Sequence, residues 1–119
     1  MSRKRKTNTL KFWQSAHLDN TEKRFDQVGN SLLLSPQFKN LSAGAQGLYQ
    51  RMSMESAGKA QFYFPQSAAK KYGIAASSFW RYVQELERAH FIDVYSGKNL
   101  RKPNIYKFSM DWKLPPSSS

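Results

Sequence analysis

Between Ala76 and Ala89 lies a set of side chains defined by what it can bind. Ser77, Ser78, Trp80, Arg81, Gln84 and Arg88 share one short segment with the apolar Phe79, Val83 and Leu86. An arginine can donate two parallel hydrogen bonds to the edge of a guanine, and a glutamine can pair with adenine. Serine hydroxyls suit a phosphate or a base edge. Lys70 and Lys71, just upstream, suit backbone phosphates. Downstream, Lys98, Asn99, Arg101 and Lys102 make a second polar, basic cluster. At the amino end Arg3, Lys4, Arg5 and Lys6 form an unbroken basic run that can track phosphates or enter a minor groove. A solubilising tail reads equally well there.

Reaction chemistry is absent from this set. The two histidines, His17 and His90, have no metal-ligand spacing between them. Glu85 and Glu87 sit close in sequence but on different sides of a helix. No Gly-rich phosphate loop or serine-nucleophile motif occurs. With no cysteine there is no disulfide and no cysteine-held zinc. The expectation is a protein that binds without catalysis, with no metal, cofactor or small-molecule ligand.

Which elements would position these groups? Ser42 is a natural N-cap for a helix whose Ala45, Leu48, Tyr49 and Met52 share one face. Gly44 and Gly47 weaken that helix and permit close approach of a neighbour. Ala57-Gly58 ends it. Phe62 to Phe64 reads as a small strand, stopped by Pro65, which suits the first turn of a helix over Gln66–Tyr72. Gly73 then allows a left-handed turn, Ile74 plugs it, and Ala69 is small enough for two helices to touch. A second helix over about Ala76–Ala89 buries Phe79, Val83 and Leu86, with Tyr82 alongside. Its free face carries Ala76, Ser77, Trp80, Arg81, Gln84 and Arg88. Phe91–Tyr95 and Asn104–Phe108 have strand composition around a loop, and Trp112 folds back on the core. Two short helices at a sharp turn, a strand, a basic loop and a returning strand are the layout of a winged helix-turn-helix.

The totals agree with this reading. The chain has 119 residues and a net charge of +11, from 19 Lys and Arg against 8 Asp and Glu. Such an excess points to a polyanion, nucleic acid first and an anionic membrane surface second. Residues 1–24 hold seven basic and two acidic groups, so the remainder is basic on its own. Mean hydropathy is -0.71, yet the apolar residues are clustered, which predicts a folded middle with polar ends. The expected organisation is a basic flexible arm over 1–24, one domain over 25–113 and a disordered tail over 114–119. The fold class is α+β, mainly α, with a two- or three-stranded wing sheet. No apolar run follows the basic amino end, and none is long enough to span a bilayer, so a cytoplasmic, nucleoid-associated protein is expected.

Three runs carry a resemblance: Phe64 to Ile74, Ser78 to Glu87, and Phe91-Ile92 with Pro103-Asn104-Ile105-Tyr106. Together with Val28–Leu34, Lys39–Ser42 and Leu48-Tyr49, they resemble the winged-helix domain of plasmid and phage replication proteins and related regulators in bacteria. The resemblance covers about residues 25–112 and implies a mobile-element setting in replication or transcription control. It matches Ser77, Trp80, Arg81 and Gln84 to outward recognition positions, and Lys98 to Lys102 to the wing. The chain departs from the family twice. Ala75 and Ala76 stand where a capping Ser or Thr is usual, leaving Ser77 to take over the cap and shift the helix start. His90 stands where Gly is usual before the wing strand.

The expected partner is double-stranded DNA. A second copy of the chain or a replication-protein partner stays open, and a membrane partner is not expected. Two other readings compete. A protein-interaction module would use the aromatic Phe12, Trp13 and Trp80, and RNA binding would stack bases on Tyr63, Tyr82 or Trp80.

Overall fold

The computed structural model describes residues 8–11, 13–19, 21–22, 28–95 and 104–113. A short antiparallel hairpin comes first: β1 (Asn8–Thr9) pairs with β2 (Thr21–Glu22). No apolar alternation in the sequence announces these strands. Next come two single helical turns, α1 (Asn30–Leu34) and α2 (Pro36–Lys39). Ser35 between them is extended, as the residue before a proline should be. Its Oγ accepts a hydrogen bond from the Phe38 N–H at 3.2 Å and donates to the Leu32 carbonyl at 2.8 Å.

Helix α3 (Ala43–Ser56) starts at its expected cap, with the Ser42 Oγ accepting from the Ala45 N–H at 3.2 Å. Ala45, Leu48, Tyr49 and Met52 are buried, as their spacing predicts. The helix closes on Ala57 in the left-handed region, φ 55°. Strand β3 (Gln61–Tyr63), helix α4 (Gln66–Lys71), helix α5 (Ala76–Arg88), and strands β4 (Ile92–Tyr95) and β5 (Ile105–Phe108) follow, then a 3-10 turn at Asp111–Lys113. The three later strands form one antiparallel sheet with β5 in the middle, between β3 and β4. The described chain is thus an α+β fold, mainly helical, with five helices and a three-stranded sheet.

Helices α4 and α5 stop by one device used twice. After α4, Gly73 takes φ 79°, its N–H donates to the Lys70 carbonyl at 2.9 Å, and the Ile74 N–H donates to the Ala69 carbonyl at 2.8 Å. After α5, His90 takes φ 68°, its N–H donates to the Glu87 carbonyl at 3.0 Å, and the Phe91 N–H donates to the Leu86 carbonyl at 3.0 Å. Both are paired six-to-one and five-to-two closures sealed by a hydrophobic plug, Ile74 in one and Phe91 in the other. His90 therefore takes the left-handed conformation that glycine holds more cheaply. This device also trims the predicted bounds: Tyr72 and Ala89 are caps outside their helices, and Phe91 is a plug ahead of its strand.

One expectation is corrected at the start of α5. Ala75 occupies the N-cap in an extended conformation with no side-chain bond, and the helix begins at Ala76. Ser77 lies inside the first turn and does not take over the cap, because the turn closed by Gly73 and Ile74 already delivers the chain in register for Ala76.

The core is largely aromatic. Phe91 is fully buried, with ring centroids 5.8 Å from Phe38 and 5.5 Å from Tyr49, both edge-on, and Trp112 stacked on it at 4.8 Å. Trp112 thus folds back as expected, and its carbonyl accepts from Gln37 Nε2 at 3.1 Å. A second stack, Tyr72–Phe64–Phe79, fills the angle between α4 and α5. Gly44 lets α5 come close to α3: a Cβ there would fall 2.1 Å from Cζ of Tyr82.

Tyr106, in the central strand, is buried, and burial pushes its phenol above the usual value of 10.0, opposed by a hydrogen bond with the Asn104 side chain. The fold therefore disfavours the phenolate, which the unfolded chain forms freely. This contribution to stability is complete below pH ~10 and declines as pH rises beyond it. Urea titrations from neutral pH upward should show that decline, and Tyr106→Phe should flatten it. An identical decline in the variant would assign it to other groups.

Candidate nucleic-acid interface

Helix α5 turns Phe79, Val83 and Leu86 inward, all buried. Geometry then sets the opposite side, since each residue advances ~100° around the axis. Ser77, Arg81, Gln84 and Arg88, at steps of four, three and four, fall on one stripe, and all four are exposed. Ala75 and Ala76 precede the stripe as small exposed residues, so nothing bulky shields its first turn. The Arg81 guanidinium lies 5.3 Å from the centroid of the Tyr82 ring. That contact steadies the side chain, which stays exposed.

Two expected members stand apart. Ser78 is half-buried and lines a groove of about 440 Å³ with Gly44, Gly47, Ile74 and Tyr82, on the α3 side. Trp80 is 43% exposed, with its ring centroid 6.5 Å from that of Phe79, and occupies one flank of the stripe. Glu87 is exposed on that flank, seven residues on, so this acid stays off the stripe.

The lysines of α4 diverge. Lys70 is exposed on its last turn. Lys71 forms an ion pair with Glu55 of α3, and the Tyr72 hydroxyl donates to the same carboxylate at 2.9 Å. Phosphate binding by Lys71 would have to compete with Glu55, whereas Lys70 is the better placed of the two.

Glu85 has a role that its neighbours in sequence do not announce. Its Oε2 accepts from the Ser42 N–H and its Oε1 from the Ser42 hydroxyl, both at 2.7 Å. A residue of α5 thereby clamps the N-cap of α3 and helps fix how the stripe is presented. No local spacing could show this, because the partners lie 43 positions apart.

The expectations for Arg3, Lys4, Arg5 and Lys6, for Lys98, Asn99, Arg101 and Lys102, and for the 114–119 tail lie outside the described residues. The described residues on either side of 96–103 are Tyr95 of β4 and Asn104 before β5, and Tyr95 pairs with Ile105. Phe12 is also outside the described residues, while Trp13 is exposed. Among the described residues no cluster of three His, Cys, Asp or Glu could hold a metal ion, and no helix is long and apolar enough to cross a membrane.

The residues so arranged define a mainly helical α+β domain that presents a polar, cationic helix stripe. No protein-family model, curated protein or solved structure matches the chain.

Proposed function

We propose that this chain binds duplex DNA without catalysis, as a winged helix-turn-helix protein that lays α5 in the major groove and sets the basic 97–103 loop against the backbone. The observation that carries this reading is the exposed stripe Ser77, Arg81, Gln84 and Arg88 on a chain of net charge +11. Element order supports it: α3, β3, α4, a tight turn, α5, β4 and a returning β5 that pairs with both other strands. A helix held at both ends by packed turns and free along one polar side is suited to a groove that admits one helix. A role in replication or transcription control of a mobile element rests on the family resemblance alone.

The test is a binding selection from genomic fragments, followed by competition among duplex DNA, single strands and RNA at fixed salt. Arg81→Ala should weaken the selected duplex by about 10–100-fold, the loss typical of one bidentate base contact, and random duplex much less. Equal losses on both would remove base reading by Arg81. Preference for RNA over duplex would remove the proposal.

A further inference from the structure

The three-stranded sheet has a second face. Phe62, Tyr106 and Val94 form one rung, Ile92 and Phe108 another, and both turn to the core. The alternate rungs must turn to solvent, since side chains alternate along a strand. These are Gln61–Lys107–Asp93 and Tyr63–Ile105–Tyr95. The second rung places a tyrosine on each outer strand with an isoleucine between them. Tyr63 is 54% exposed and Tyr95 52%. Two strand spacings put their backbones ~10 Å apart on one face.

Charged groups of both signs flank the rung. Lys107 stands two residues along β5 on the same face, and Lys59 lines a groove of about 420 Å³ that runs beside Gln61, Tyr63 and Ile105. The stretch leaving Tyr95 and returning to Ile105 carries Lys98, Arg101 and Lys102 in its sequence. Two acids are near. Asp93 lies directly across from Lys107, and Glu55, which also lines the groove, is engaged by Lys71 and Tyr72.

An apolar rung on a chain of net charge +11 selects its occupant. A second copy of the chain would bring a charge of +11 against +11. A duplex offers phosphates but keeps its base faces stacked inside. An unpaired strand offers both apolar base faces and phosphates, and stacking on aromatic rings is tolerant of sequence. We propose that the outer face of this sheet binds single-stranded DNA, with bases stacked on Tyr63 and Tyr95 and phosphates beside Lys59 and Lys107. The stacking is independent of the duplex reading, while the choice of DNA over RNA rests on it. One chain would then hold a duplex along α5 and an unpaired strand on its sheet, as at a locally opened duplex.

Fluorescence anisotropy of the full chain at one salt concentration tests this with four probes: short oligothymidylate, an abasic strand of equal length, a duplex, and oligouridylate. Oligothymidylate should bind more tightly than the other two single strands. Tyr63→Ala with Tyr95→Ala should weaken it about 10–100-fold, the range for losing base stacks, while Tyr63→Phe with Tyr95→Phe retains most of it. Duplex affinity should not change in either variant. Tyr63→Thr and Tyr95→Thr, singly, keep strand propensity and replace the double alanine variant if it melts early. Equal binding of the abasic strand, preference for oligouridylate, or undiminished oligothymidylate binding by a folded alanine or threonine variant would overturn the proposal. A wild-type chain that binds oligothymidylate but no duplex would sink the duplex reading and leave the stacking face standing.

Discussion

Replacing Lys98, Arg101 and Lys102 together by Ala is expected to weaken binding to every duplex and to flatten its salt dependence. The reasoning is counterion release: each phosphate neutralised by a cation adds ~0.9 to the slope of log affinity against log salt, so three contacts add about 2.7. Between about 50 and 200 mM salt, such a difference makes the gap between wild type and variant shrink roughly 40-fold. The loss should not depend on sequence, because a loop on the backbone positions the protein without reading bases. It should therefore differ in kind from the Arg81→Ala loss, which is concentrated on the selected site. A parallel variant with Arg3, Lys4, Arg5 and Lys6 replaced by Ala separates the arm from the loop. A slope unchanged in the loop variant takes the 97–103 stretch out of the binding surface.

The largest effect on stability is expected from Phe91→Ala. Phe91 is fully buried and stacks with Trp112 while meeting Phe38 and Tyr49 edge-on. It also seals the turn that ends α5, through its N–H bond to Leu86. Truncating a buried phenylalanine costs about 3–5 kcal/mol, a large fraction of the ~5–15 kcal/mol that holds a domain together. The loss would also free Trp112, so the C-terminal turn should detach first. A melt followed by tryptophan fluorescence should fall by roughly 15–30 °C, whereas Phe91→Leu, which keeps an apolar plug without the ring, should cost less than the alanine variant. An alanine variant melting within a few degrees of wild type would mean that Phe91 is not the keystone of this cluster.

What could be read from sequence was what repeats at a short period. Phe79, Val83 and Leu86 define the inside of α5, and the outside follows as their complement, so Ser77, Arg81, Gln84 and Arg88 could be named before any coordinates. The Ser42 cap, the Gly73 turn and the left-handed His90 are likewise local chemistry. What could not be read depends on how distant elements meet. Ser78 is half-buried because α3 packs on that side of α5, with Gly44 letting the two helices come close. Lys71 is diverted by Glu55, sixteen positions away, and Glu85 reaches back to Ser42. The outward rung of Tyr63, Ile105 and Tyr95 needs the strand register, which three separate short strands do not reveal alone.

The twin closures at Gly73 and His90 bear on how this chain can change length. Helix α5 is fixed between two plugs, Ile74 and Phe91, both packed on the core. A single inserted or deleted residue inside it would rotate everything downstream by ~100°. Either Phe91 would leave its socket or the polar stripe would be split between two sides of the helix. Between β4 and β5 the last described rung is Tyr95–Ile105, so residues added beyond it leave every described rung in register and cost only the slow logarithm of loop closure. A lineage of such chains would thus hold the length from Gly73 to Phe91 constant while varying freely between Tyr95 and Ile105. Any diversification of what the protein grips would come by substitution along the helix and by insertion in the loop.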